Sequence, residues 1–175
     1  MTHKACGDEC AEKHVALVRA KQLAKAQRQE RAETKAKLIA MKPAKWHRAN
    51  CKKAVHAYVR ARDEGKECAS CDRILLKLGR VGGDYDAGHF RAVGVAKNLE
   101  FDLRNIWGQC KYCNDHLRGN YQEYERRLRI KMGDAFVDEL LTDNVPRHMK
   151  IHDYNELEAW AKAELKKLQK ERKAP

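Results

Sequence analysis

A chain of 175 residues has room for one modest hydrophobic core with peripheral helices rather than two large domains. With 43% hydrophobic residues, only 7% aromatics and no apolar run near bilayer length, a bundle of membrane-spanning helices is excluded. The net charge of +12 is uneven, with 17 Lys and Arg against 7 Asp and Glu in residues 1–66 but 20 against 18 in residues 67–175, and it points to a polyanion held through its phosphates. The opening MTHKACGDEC lacks the apolar stretch of a secretory signal, so an intracellular protein is expected, whose cysteines serve as metal ligands rather than disulfides.

In chain order, residues 11–41 are rich in Ala, Lys, Arg, Glu and Gln without Gly or Pro, which favours one long helix. Val15, Val18, Leu23, Leu38 and Ile39 recur too irregularly for a coiled-coil heptad, so this helix is expected to be exposed, at least in part. Pro43 ends or redirects it, and a second helix over residues 46–62 places Val55, Tyr58 and Val59 on one face. Residues 74–78 read as a strand, residues 79–84 (GRVGGD) as a turn, and residues 85–90 as a returning strand. Residues 114–131 suit a helix despite Gly119, with Leu117, Tyr121, Tyr124 and Leu128 at helical spacing. A short helix over residues 134–141 is stopped by Asn144, Val145 and Pro146. Asp153 is placed to cap a last helix with Glu156 completing a capping box, and Leu157, Trp160, Ala161, Leu165 and Leu168 form its apolar stripe. Such a stripe serves intramolecular packing or a twofold interface between copies. The expected class is α+β: a basic N-terminal arm (1–45), a helix leading into the core (46–66), a zinc-bound core (67–133) and C-terminal helices (134–175).

The chemistry gathers between two cysteine pairs. Zn2+ takes four thiolates tetrahedrally, and two residues between cysteines let both sulfurs of one turn reach the ion, so Cys68, Cys71, Cys110 and Cys113 form a structural zinc site. Asp86, His89 and Asn105 lie inside this bracket, and Asn114 follows it directly. Phosphodiester hydrolysis needs a base for water and a cation for the departing oxygen. His89 suits the first task because imidazole titrates near neutrality. Asp86 and Asn114 suit the second, since Mg2+ or Mn2+ takes a few protein oxygens and leaves its other positions to water and phosphate. Residues and spacing therefore read as a metal-dependent nuclease. His116 either touches phosphate or lies on a helix surface, and Arg91, Lys97, Arg104, Lys111 and Arg118 are candidate DNA-backbone contacts. Cys6, Cys10 and His14, with His3 upstream, form a weak second metal pattern, and Cys51 reads as a packed or free thiol.

At these residues the chain resembles the HNH branch of the His-Me finger nucleases, with Asn105 in the place of the asparagine that braces the hairpin loop. The Asp-x2-His pattern, with an asparagine after the last zinc cysteine, is similar to that of the junction-resolving endonuclease VII of phage T4. More widely, HAYVRARDEGKECASC (56–71), DAGHF (86–90) and LRNIWGQCKYCNDHLRGN (103–120) resemble the lambdoid phage NinG, or Rap, recombination endonucleases. The resemblance implies a zinc-bound, treble-clef-like ββα core and a structure-selective nuclease. Its expected substrates are Holliday junctions and D-loops, cut by the two active sites of a homodimer, in the host bacterial cytoplasm and without a small-molecule cofactor. Gly88 departs from the pattern, because many HNH enzymes place a metal ligand there, so Asp86 must serve from three residues upstream of the base. Two other readings stay open: a noncatalytic zinc module that binds DNA, and a general HNH nickase or endonuclease acting on linear duplex.

Overall fold

A computed structural model describes residues 7–79 and 83–172, in two compact units, Met1–Pro43 and Ala44–Pro175. In the first unit α1 (Asp8–Ala40) runs for 33 residues with none buried. At 1.5 Å per residue it is about 50 Å long, and strong helix formers and backbone hydrogen bonds sustain it in place of a packed face.

The second unit contains α2 (Ala44–Asp63), β1 (Tyr85–His89), β2 (Ile106–Cys110), α3 (Tyr121–Met132), α4 (Asp134–Thr142) and α5 (Ile151–Glu171). The class is α+β, with a single two-stranded antiparallel sheet among the described residues. In its register Tyr85 faces Cys110, Ala87 faces Gly108 and His89 faces Ile106. Helix α2 packs centrally in this unit: its Cys51, Ala54, Val55 and Val59 form a core with Ala87, Ile106 and Ala161 of α5. The apolar stripe of α5 packs within the chain, with Ala161 fully buried and Trp160 set edge-on against Tyr58 at 5.1 Å. A second core joins Phe90, Leu99, Tyr124, Leu128, Val137 and Leu140.

Three expectations are corrected. Residues 74–78 are not the strand that pairs with residues 85–90; Ile74 makes one isolated bridge to Glu67, and β1 pairs instead with β2. Only Leu75 of that run points inward while Leu76 and Leu78 are exposed, so the run anchors the loop at one residue instead of forming a paired strand. The expected turn at 79–84 is closed by Asp84, whose Oδ2 accepts from the N–H groups of Leu78 and Gly79 at 2.8 and 3.0 Å; its residues 80–82 lie outside the described residues. The helix expected over residues 114–131 is broken: a π-helical turn, Tyr112–His116, is followed by three left-handed residues, Arg118, Gly119 and Asn120, before α3 begins. Those residues turn back onto the core, where the Gly119 carbonyl accepts from Gln109 Nε2 at 2.6 Å and Asn120 Nδ2 donates to Ser70 O at 3.1 Å. Finally, Asp153 does not precede α5 but lies within its first turn, where Oδ2 accepts from the Lys150 N–H at 2.6 Å, and Glu156 has no part in the cap.

Candidate active site

Four cysteines from two separated turns converge. The Sγ atoms of Cys68, Cys71, Cys110 and Cys113 all lie within 4.8 Å of one another. Cys71 and Cys110 are 3.8 Å apart, about the edge of a tetrahedron with ~2.3 Å zinc–sulfur bonds. Backbone N–H groups point at the sulfurs, Cys110 N and Ser70 N at Cys68 (3.2 and 3.4 Å) and Cys113 N at Cys110 (3.4 Å), which favours thiolates. The cluster can hold a zinc ion, and it ties the end of β2 to the loop after α2.

Because Asn114 directly follows the last of these cysteines, the π-helical turn delivers it to β1. Asn114 Nδ2 donates to Asp86 Oδ2 at 3.1 Å, and the Lys111 ammonium lies 2.9 Å from the same carboxylate. Asp86 raises the pKa of Lys111 and keeps it charged. The Asp86 carboxylate and the Asn114 amide oxygen are hard donors of the kind a divalent cation such as Mg2+ takes; as placed, the amide turns its Nδ2 to Asp86 and the Lys111 ammonium balances the carboxylate's charge.

His89 ends β1, three residues and about 10 Å along the strand from Asp86. Its Nε2 is 2.9 Å from the Glu100 carbonyl. A carbonyl can only accept, so Nε2 carries the proton and Nδ1 is left with its lone pair. Burial lowers the pKa of His89, assisted by the charge of Lys52, while the Glu100 contact opposes the shift. The carbonyl is fixed in turn: Glu100 is 4% exposed and held bidentately by Arg48 at 2.8 Å through both oxygens. Asn105, fully buried, braces the loop between the strands, accepting from Arg91 N at 2.7 Å and donating to Arg91 O and Leu99 O at 3.0 and 3.2 Å. Gly88 is small for a visible reason. A Cβ there would fall 2.2 Å from Gln109 Oε1 and 3.0 Å from Gln109 Cβ, and Gln109 is buried and bonded to Ser70 and Gly119.

The candidate DNA contacts divide into two groups. Arg91 donates to the carbonyls of Leu140 and Asp143, both at 2.9 Å, and Arg104 binds Asp102 and Glu139, so both guanidinium groups are engaged in holding α4. Lys97 and Arg118 are exposed, and exposed His116 lies against Tyr112 with ring centres 5.8 Å apart. Cys51 is fully buried, which pushes its thiol up to about 12. Of the weak second metal pattern, Cys10 and His14 lie on α1, while His3 and Cys6 fall outside the described residues. Sequence reasoning passed over His56 of α2, whose ring centre is 5.6 Å from that of His89. Its Nε2 is buried without a hydrogen-bond partner, and burial, with His89 next, lowers its pKa to about 4. The signal for it was helical spacing on α2, outside the cysteine bracket.

A family profile described as "Bacteriophage Lambda NinG protein" matches residues 1–171. The chain is 33% identical over 138 residues to "Protein ninG" of Salmonella phage P22, covering 79% of this chain and 65% of that one. To the proteins of the same name from Escherichia phage 933W and Escherichia phage lambda it is 31% identical, again over 138 residues and 79% of this chain, with 66% and 65% of theirs covered. The chain thus spans just under two thirds of the length of these relatives. No solved structure matches it. A profile match over residues 1–171, with relatives above 30% identity, shows that the chain belongs to the NinG family of lambdoid phage proteins.

Proposed function

We propose that this chain is a structure-selective DNA endonuclease of the His-Me finger, HNH type, cutting branched recombination intermediates such as Holliday junctions and D-loops in the cytoplasm of a phage-infected host. The observation that carries this reading is the 3.1 Å contact between Asp86 and Asn114 beside the four-cysteine cluster, on the same short strand as an imidazole whose Nδ1 is left as a base. In this reading residues 67–133 are a treble-clef-like ββα core built on a structural zinc. His89 Nδ1 takes the proton of a water attacking the scissile phosphate, and Asn105 keeps the intervening loop in place. Asp86 and Asn114 hold Mg2+ or Mn2+, which when bound offsets charge on the departing 3′ oxygen, so the products carry 5′ phosphates. Symmetrical cutting of a four-way junction calls for two active sites, and hence a homodimer.

The test is cleavage of a labelled immobile four-way junction against linear duplex of the same sequence with Mg2+, comparing the native chain with His89→Ala. Junction-selective cutting that the variant loses, with its folding and DNA affinity retained, supports the reading. Equal cutting of both substrates makes the protein a general HNH nuclease, and junction binding without cutting by zinc-loaded protein makes it a DNA-binding module.

A further inference from the structure

Helix α2 runs alongside β1 in the opposite direction. Near its C-terminal end the Arg60 carbonyl accepts from Tyr85 Oη at 2.7 Å, at the start of β1; one turn earlier His56 meets His89 at the end of β1, 5.6 Å between ring centres. Lys52, His56 and Arg60, four residues apart, therefore share the face turned toward β1. Lys52 lies within electrostatic reach of both His56 and His89, and Arg60 within reach of His56 and Lys111. Eight residues of helix span about 12 Å. That matches the ~10 Å of strand between Asp86 and His89, so one cation stands near each end of the interval. Lys52 is exposed and Arg60 half-buried, and neither forms an ion pair among the described residues, whereas Arg91 and Arg104 are engaged inside the fold. Residues 44–66, which hold this face, carry 7 Lys and Arg against 2 Asp and Glu.

We infer that the Lys52–His56–Arg60 face of α2 is the wall along which the DNA backbone lies at the Asp86–His89 site. Lys52 and Arg60 hold phosphates to either side of the one being cut, and His56, half-buried with its Nε2 enclosed, is the spacer that keeps this face against His89. The inference rests on the endonuclease reading for the identity of the phosphate between them. A 12 Å separation exceeds the reach of one phosphate but matches a few nucleotide steps at ~3.4 Å per step along one strand. The wall reads no sequence, since its groups address phosphate alone.

The experiment measures equilibrium binding of a fluorescent four-way junction by the full chain, zinc-loaded, from 50 to 300 mM NaCl with Ca2+ in place of Mg2+. Each lost phosphate contact lowers the slope of log affinity against log salt by about 0.9. The Lys52→Ala/Arg60→Ala variant is expected to lose about 1.8, and Lys166→Ala/Lys170→Ala, an equal loss of charge on α5, to lose none. An unchanged slope in the first variant, or an equal drop in both, overturns the inference. Lys52→Gln/Arg60→Gln gives the same comparison if the alanine variant fails to melt cooperatively. Cutting by the native chain with Mg2+ is scored in parallel. Cutting with an unaltered slope removes the wall and keeps the nuclease. Binding without cutting removes the nuclease and leaves the slope to decide the wall. A native chain that neither binds nor cuts removes both.

Discussion

His89 donates its Nε2–H to a carbonyl that cannot move away, because Glu100 is clamped by Arg48 and its backbone lies in the loop that Asn105 ties down. A base held in one tautomer loses no time in the wrong one, and its protonation state becomes the remaining variable. Burial is the largest influence on that state and disfavours the imidazolium, so the pKa of His89 falls below the ordinary 6.5. If His89 serves as the base proposed above, its neutral form is the active one, and a lowered pKa extends that form toward acidic solution. On the proposed reading, single-turnover cleavage of a junction with saturating Mg2+ is therefore expected to show an acid limb centred below pH 6.5. An acid limb centred at or above 6.5 would contradict the burial of this ring. At the same scale, the position before His89 is closed to any side chain, because a Cβ at Gly88 would meet Gln109.

Between elements, the junction of α2 with β2 rests on one buried carboxylate. Asp63 accepts from Arg62 through both oxygens at 2.9 and 2.6 Å and from the Gly108 N–H at 2.8 Å, and Arg62 Nη2 also reaches the Ile106 carbonyl at 2.9 Å. Burial alone would raise the Asp63 pKa, but the Arg62 hydrogen bonds and charge, the Gly108 N–H and Lys66 together bring it below the ordinary value. A carboxylate with a depressed folded pKa stabilises above its unfolded value, about 3.9, and that contribution is lost as pH falls through the lower folded value. Asp63→Asn should lower the unfolding free energy by about 3 kcal/mol at pH 7, read from urea melts, because Arg62 is left partly buried without its partner. The difference between native and variant should shrink below about pH 4. The sequence made some of this level legible and hid the rest for physical reasons. Cysteine spacing announced the four-sulfur cluster because metal geometry is local to each turn. The partner of β1 was hidden because pairing depends on where the cluster brings Cys110, which is 42 residues from Cys68. The break before α3 was hidden because Gly119 is tolerable in a helix by propensity, and only the bonds from Gln109 and Asn120 make the turn preferable. Lys52, His56 and Arg60 went unread because a solvated helix face and a phosphate wall have the same spacing.

For the molecule as a whole, the cysteine cluster joins what the hydrophobic cores leave separate. The core of α2 and α5 and the core of α3 and α4 meet at the two-stranded sheet, and the third core consists of the four cysteines with Leu75 and Tyr85. Those cysteines fix the end of β2, and through Cys113 they fix Asn114 against Asp86. Structural zinc binding is worth on the order of 10 kcal/mol in small zinc peptides, while entire domains are stable by only about 5–15 kcal/mol. Loss of the ion should therefore unfold the 67–133 segment rather than loosen it. Metal analysis of purified protein is expected to return one zinc per chain. Treatment with a zinc chelator should abolish the cooperative thermal transition of residues 44–175 and the cleavage of junctions together, and Zn2+ but not Mg2+ should restore the transition. Cys110→Ser should behave like the chelated protein, since it removes a ligand and leaves three thiols, two of them buried, in place of a tetrahedral site. Retention of the full transition after zinc is stripped would place the stability in the apolar cores and leave the cysteines without a structural metal.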